Sequence, residues 1–205
     1  RGHHAQRACT DHPQRDAFWR SLAPDLSAIK VPMLVCGSFS DNNLHSRGSM
    51  RAFVHGGSAH ARLYTHRGGK WTTFYSEAAL AEQLKFFRDV LDGATASRSV
   101  RLEVREDRVT VAAVREEAEW PLARTRWRPL YLGEARTLAP EQPAAPGRSS
   151  FETRSGAASF TWTVPEDTEL TGPMVARLWV ELNGCDDANL FVGVEKWRDG
   201  RFVGF

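Results

Sequence analysis

Two kinds of apolar patterning divide the chain near residue 95. Before that point, short apolar runs alternate with segments that repeat every three to four residues. Residues 31–35 are apolar apart from Pro32, placed near the start where a strand tolerates proline, and they read as a buried parallel strand. The run Gly37-Ser38-Phe39-Ser40-Asp41-Asn42-Asn43 is a loop at its C-terminal end. Ser46 is placed to cap a helix to about His55, which Gly56-Gly57-Ser58 ends. Residues 61–65 form a second short strand before the loop Arg67-Gly68-Gly69. The best-defined helix spans 77–92, with Ser76 as N-cap and Gly93 just past its end. Leu80, Leu84, Phe87 and Leu91 repeat at helical spacing, with Phe86 and Val90 beside them, and predict a core-facing stripe.

Beyond the small polar hinge 92–97, the period changes to two. Residues 100–104 alternate apolar and charged, Glu106-Asp107-Arg108 turns the chain, and 109–111 begins a returning strand. Residues 127–132, 159–163, 174–182 and 190–197 are further strand candidates. The Pro/Ala-rich 137–150 reads as a loop, and Asp199-Gly200 as a hairpin turn. Alternating helices and strands followed by short strands predict an α/β region over 1–95 and a β-sandwich over 96–205. Trp120, Trp127, Trp162, Trp179 and Trp197 fall in or near these segments and are expected in the sandwich core or an interface rather than on a sugar-stacking surface.

Composition narrows the function classes. Of 205 residues, 41% are hydrophobic and 25% charged, which is ordinary globular material. A net charge of +2 with no cationic patch argues against nucleic acid, and no apolar run is long enough for a membrane span. Three widely spaced cysteines indicate neither a disulfide framework nor a zinc site, which points to a reducing, cytoplasmic-type compartment, with Cys36 buried in its strand. His3, His4, Cys9 and His12 have no fixed ligand spacing and read as a flexible polar segment, so no metal and no cofactor is expected. The first residues carry no signal-peptide pattern and the last read as an interrupted strand, so a fragment is expected.

Several stretches together resemble one family. Ile29-Lys30-Val31-Pro32-Met33-Leu34-Val35-Cys36-Gly37, leading to Asp41, resembles the late strand and acid-bearing loop of X-Pro dipeptidyl-peptidase and cocaine-esterase (CocE/NonD) hydrolases. Leu63-Tyr64-Thr65-His66-Arg67-Gly68-Gly69-Lys70-Trp71 resembles the next strand and its histidine loop, and Phe86-Phe87-Arg88-Asp89-Val90-Leu91-Asp92-Gly93 the end of the last hydrolase helix. Thr171-Gly172-Pro173, Arg177-Leu178-Trp179-Val180 and 186–192 resemble the C-terminal jelly-roll (galactose-binding-like) domain. The resemblance implies the C-terminal part of an α/β-hydrolase domain followed by a jelly roll, and hydrolysis of an ester or amide acyl bond by serine, aspartate and histidine.

In such chemistry the serine attacks, the histidine carries its proton, and the carboxylate fixes the imidazole tautomer. The resemblance makes Asp41 the acid and His66 the base. Read without it, Asp41-Asn42-Asn43 reads as an Asx turn rather than a catalytic acid. Family members often carry the histidine in a G-P-W-x-H segment; here His66 stands about where the glycine would be and Lys70 where the histidine would be. His45 and His60 read as surface histidines. No G-x-S-x-G occurs in the chain, so the nucleophile is expected in an N-terminal catalytic portion outside these residues. The expected partners are that portion, a small-molecule ester or amide/peptide substrate, and a second copy in a homodimer. A carbohydrate-type binding module and a purely structural β-sandwich remain the alternatives.

Overall fold

The computed structural model describes residues 2–40 and 45–204. They fall into two compact units, Arg1–Trp120 with Trp179–Phe205, and Pro121–Leu178.

The first unit opens with helices α1 (Gly2–Asp11) and α2 (Ala17–Ser21). The polar segment expected to be flexible is therefore helical. Arg7 and Asp11 pair one turn apart at 3.5 Å, and Asp16 caps α2 by accepting from the Phe18 and Trp19 amides. There follow β1 (Met33–Ser38), α3 (Ser46–His55), β2 (Ala61–His66), α4 (Lys70–Phe74) and α5 (Glu77–Leu91). β3 (Arg98–Arg105) and β4 (Val111–Glu117) come next. These strands form one mixed sheet in the order β1-β2-β3-β4, in which β1 and β3 both run parallel to β2 and β4 runs antiparallel to β3. With helices in both parallel crossovers, this is an α/β arrangement. The sheet is continuous across residue 95, because Ala61–Tyr64 pair directly with Arg98–Arg101.

Alternation along β2 separates two unlike layers. Ala61, Leu63 and Thr65 share one face with Val100 and Leu102, and all five are buried. Helix α3 packs on β1 and β2, its Phe53 buried under Arg98, whose guanidinium lies 4.5 Å from the ring centroid. A Cβ on Gly37 would meet Met50 Cε at 3.0 Å, so glycine lets α3 lie close on β1.

The opposite face carries Arg62, Tyr64 and His66. Glu82 of α5 bridges Arg62 at 2.9 Å and Arg101 at 3.3 Å, and Arg62 also meets Glu116 of β4 at 2.9 Å. Arg101 in turn stacks over Tyr64, 4.7 Å from the ring centroid.

Helix α5 departs from its sequence reading. Ser76 caps it by accepting from the Ala79 amide, and Gly93 follows at φ +74°, both as expected. Yet Ala79 and Phe86 face inward, while Leu80, Leu84, Phe87 and Leu91 are exposed. The helical period was correct; what it could not specify was which stripe the sheet takes. The inward stripe is chosen by Glu82 meeting the two arginines and by Phe86 meeting His60 edge-on at 5.5 Å.

The hairpin β7 (Lys196–Arg198) to β8 (Arg201–Gly204) belongs to the same unit. Asp199 and Gly200 both take positive φ, the mirror-image turn that suits a tight hairpin. Arg198 pairs with Glu106 at 2.7 Å and the Arg108 amide donates to Val203, fastening this hairpin to the β3–β4 turn.

In the second unit, β5 (Tyr131–Leu132) pairs antiparallel with β6 (Leu138–Ala139), and Thr137 bridges Thr161. Of the strand candidate 159–163, only that bridge forms, and 174–182 and 190–195 pair in no ladder among the described residues. Alternation marks a face that suits a sheet, but a ladder also needs a partner supplied from elsewhere. The tryptophans differ accordingly: Trp120 is buried, whereas Trp127, Trp179 and Trp197 are exposed rather than core.

Candidate functional site

The site is assembled where β1 and β2 end side by side. In their parallel register Ser38 is the partner of His66, and the Phe39 amide donates to the His66 carbonyl at 2.7 Å. The last residue of β2 is thus held against the point where the loop after β1 begins.

That loop is anchored at both ends. On leaving the strand, the Ser38 and Ser40 hydroxyls lie 2.8 Å apart, and the Gly68 carbonyl is within 3.4 and 3.3 Å of them. On returning, the Ser46 hydroxyl donates to the Ser38 carbonyl. Ser46 had been expected to cap α3; the cap position falls to His45, without a side-chain bond, because the Ser46 hydroxyl serves this tie instead. Asp41, the acid expected from sequence, lies outside the described residues.

His66 is almost completely buried, with 4% of its surface exposed. Its ring packs beside Tyr64 at 5.9 Å, and its Nδ1 is buried with no hydrogen-bond partner among the described residues. Burial pushes the imidazole below its ordinary basicity, because the charged form loses hydration. The Glu103 carboxylate and a backbone hydrogen bond with Gly68 act in the opposite direction. A buried neutral imidazole with one open nitrogen can accept a proton from a nucleophile once a carboxylate holds that nitrogen's hydrogen.

Other expectations resolve differently. Cys36 is exposed, not buried, on β1, which is the edge strand of the sheet among the described residues. Partial burial nonetheless raises its thiol pKa, so it is not an activated thiolate. His12 Nδ1 donates to the Asp16 carboxylate at 2.6 Å and the ring stacks on Phe18, tying α1 to α2. No group of three or more potential metal ligands occurs among the described residues. No helix among them is long and apolar enough to cross a membrane. Sequence reading missed Ser38, Ser40 and Gly68 as the clamp around His66; their G-S and G-G pairs read only as turns.

Comparison with known proteins decides the lineage. Residues 2–72 match the model of the X-Pro dipeptidyl-peptidase (S15 family), and residues 92–200 that of the X-Pro dipeptidyl-peptidase C-terminal non-catalytic domain. The chain belongs to the X-Pro dipeptidyl-peptidase family. Two crystal structures of a CocE/NonD family hydrolase from Staphylococcus aureus resemble it, each at 30% identity over 67% of this chain, with TM-scores of 0.59 and 0.60. The chain spans 26% of the length of that hydrolase. No curated protein matches it. Within the X-Pro dipeptidyl-peptidase family pattern, His66 falls in the region matched by the S15 model, and β3 and β4 in the region matched by the non-catalytic domain.

Proposed function

We propose that this chain carries the acid and base of a serine hydrolase that cleaves ester or amide acyl bonds, X-Pro peptides among them. The observation that carries the reading is His66: a buried imidazole with an open Nδ1, beside a loop whose two ends are tied to Ser38. In this reading Asp41 takes the Nδ1 hydrogen and fixes the tautomer. The other ring nitrogen, exchanging its backbone contact with Gly68 for the serine hydroxyl, then removes the serine proton as the oxygen attacks the acyl carbon, and returns it to the leaving group. The serine and its oxyanion donors belong to an N-terminal catalytic portion outside these residues. The exposed stripe of Leu80, Leu84, Phe87 and Leu91, with the uncovered edge of β1, is where that portion packs.

In this reading residues 1–95 are the end of the hydrolase domain, and 96–205 are the jelly-roll partner domain, which lends β3 and β4 to the hydrolase sheet. Three exposed free thiols suit a reducing, cytoplasmic compartment, and a homodimer suits the remaining apolar surface. In the hydrolase joined to its serine-bearing portion, Asp41→Asn and His66→Gln each lower kcat about 10³-fold or more with little change in KM. The isolated chain leaves a fluorophosphonate probe unreacted at every serine. Full turnover by the His66→Gln enzyme, or stoichiometric labelling of the isolated chain, defeats the proposal.

A further inference from the structure

One carboxylate on the His66 face has no place in the Ser-Asp-His reading. Tyr64 and Arg101 are partners in the parallel β2–β3 register, and their stacking puts both on one face of the sheet. Two residues further along each strand, the same face carries His66 and Glu103. Thr65 locks this pairing beyond the last ladder position: its Oγ1 donates to the Arg101 carbonyl at 3.2 Å and accepts from the Glu103 amide at 2.9 Å. The Glu103 side chain is only 12% exposed and is ion-paired with Arg105.

We infer that Glu103 is a positioning residue for His66: a second, fixed carboxylate that β3 delivers to the base from the neighbouring strand. It lies in the part of the chain that matches a domain described as non-catalytic, while His66 lies in the part that matches the peptidase. The continuous β2–β3 ladder makes this contribution across the two regions possible. In its catalytic meaning the inference rests on His66 being the base.

The physical role follows from burial. An imidazole so enclosed is a weak base, and a weak base takes the nucleophile's proton poorly. A nearby negative charge that does not itself bond the ring favours the imidazolium without competing for Nδ1. Among the neighbours on this face, Arg101 is engaged by Glu82 and Tyr64, Cys36 is a thiol of raised pKa, and Arg105, paired with Glu103, offsets part of the carboxylate's charge.

The test is the titration of the His66 ring protons by NMR in the 205-residue chain, the signal being assigned from the His66→Gln spectrum. Glu103→Gln lowers the midpoint by about half a pH unit or more. Glu103→Asp keeps the charge and holds the midpoint near that of the unaltered chain. Arg105→Gln removes the counter-charge and raises it. Opposite shifts from the two neutralising variants are not produced by a merely structural role. An unchanged midpoint in Glu103→Gln, or shifts of the same sign in both, overturns the inference. Asp41→Asn, titrated in parallel, tests the acid separately: a shift there with none from Glu103→Gln keeps the triad reading and removes this one.

Discussion

His66 is almost completely buried, and its burial has a consequence for stability. Its folded-state pKa lies below the ordinary value of 6.5, with burial the largest cause. The unfolded chain therefore binds more protons than the native one between those two values, and stability rises with pH across that window. The contribution is complete above about pH 6.5 and is lost as pH falls toward the folded-state value. Urea unfolding should thus show a midpoint that declines below about pH 6.5, and His66→Gln should flatten that decline. An identical pH dependence in the variant would assign the acid sensitivity to other groups. At this scale the sequence showed the strand and the glycine loop on either side of His66. Glu103 was not legible, because on its own strand it is merely one more charge in an alternating run.

At the scale of elements, α5 illustrates what a periodic pattern contains. Its cap, its length and its glycine exit follow from local chemistry that needs no partner. The choice of buried stripe is long-range, made by Arg62 on β2, Arg101 on β3 and His60 just before β2, partners the helix does not know in advance. The energetic prediction is asymmetric. Phe86→Ala should cost the isolated chain about 3 kcal/mol, since it empties a packed site. Leu84→Ser and Phe87→Ser, on the exposed stripe, should change stability by less than about 0.5 kcal/mol. Denaturant titrations of the three variants check this. A large loss from either serine variant would mean that the stripe is covered in the chain as isolated. The β candidates after residue 150 follow the same logic: their alternation is real, but a strand exists only with a partner.

For the whole molecule, the decisive feature is that one sheet spans both family regions. Val100 and Leu102 are among its most deeply buried residues, and they face Leu63 from beyond the composition change. A chain ending at residue 92 should therefore leave the β2 edge and its apolar face open and lose cooperative unfolding, while the 205-residue chain unfolds in a sharp transition over its first unit. Circular dichroism and denaturant melts of the two lengths distinguish these outcomes. A cooperative transition in the shorter chain would show that the first region folds without its neighbour.

The amino-acid sequence by itself determined the local grammar: strands β1 and β2, helices α3 and α5, the Ser76 cap, the Asp199-Gly200 turn, and the family to which these pieces belong. Each depends on neighbours within a few residues or on motifs read in order. Tertiary structure alone decided which stripe of α5 is buried, that Ser46 ties the loop instead of capping α3, and that Glu103 shares a face with His66. Those outcomes depend on register and packing between segments 8 to 37 residues apart, where side chains compete for partners that no local pattern names.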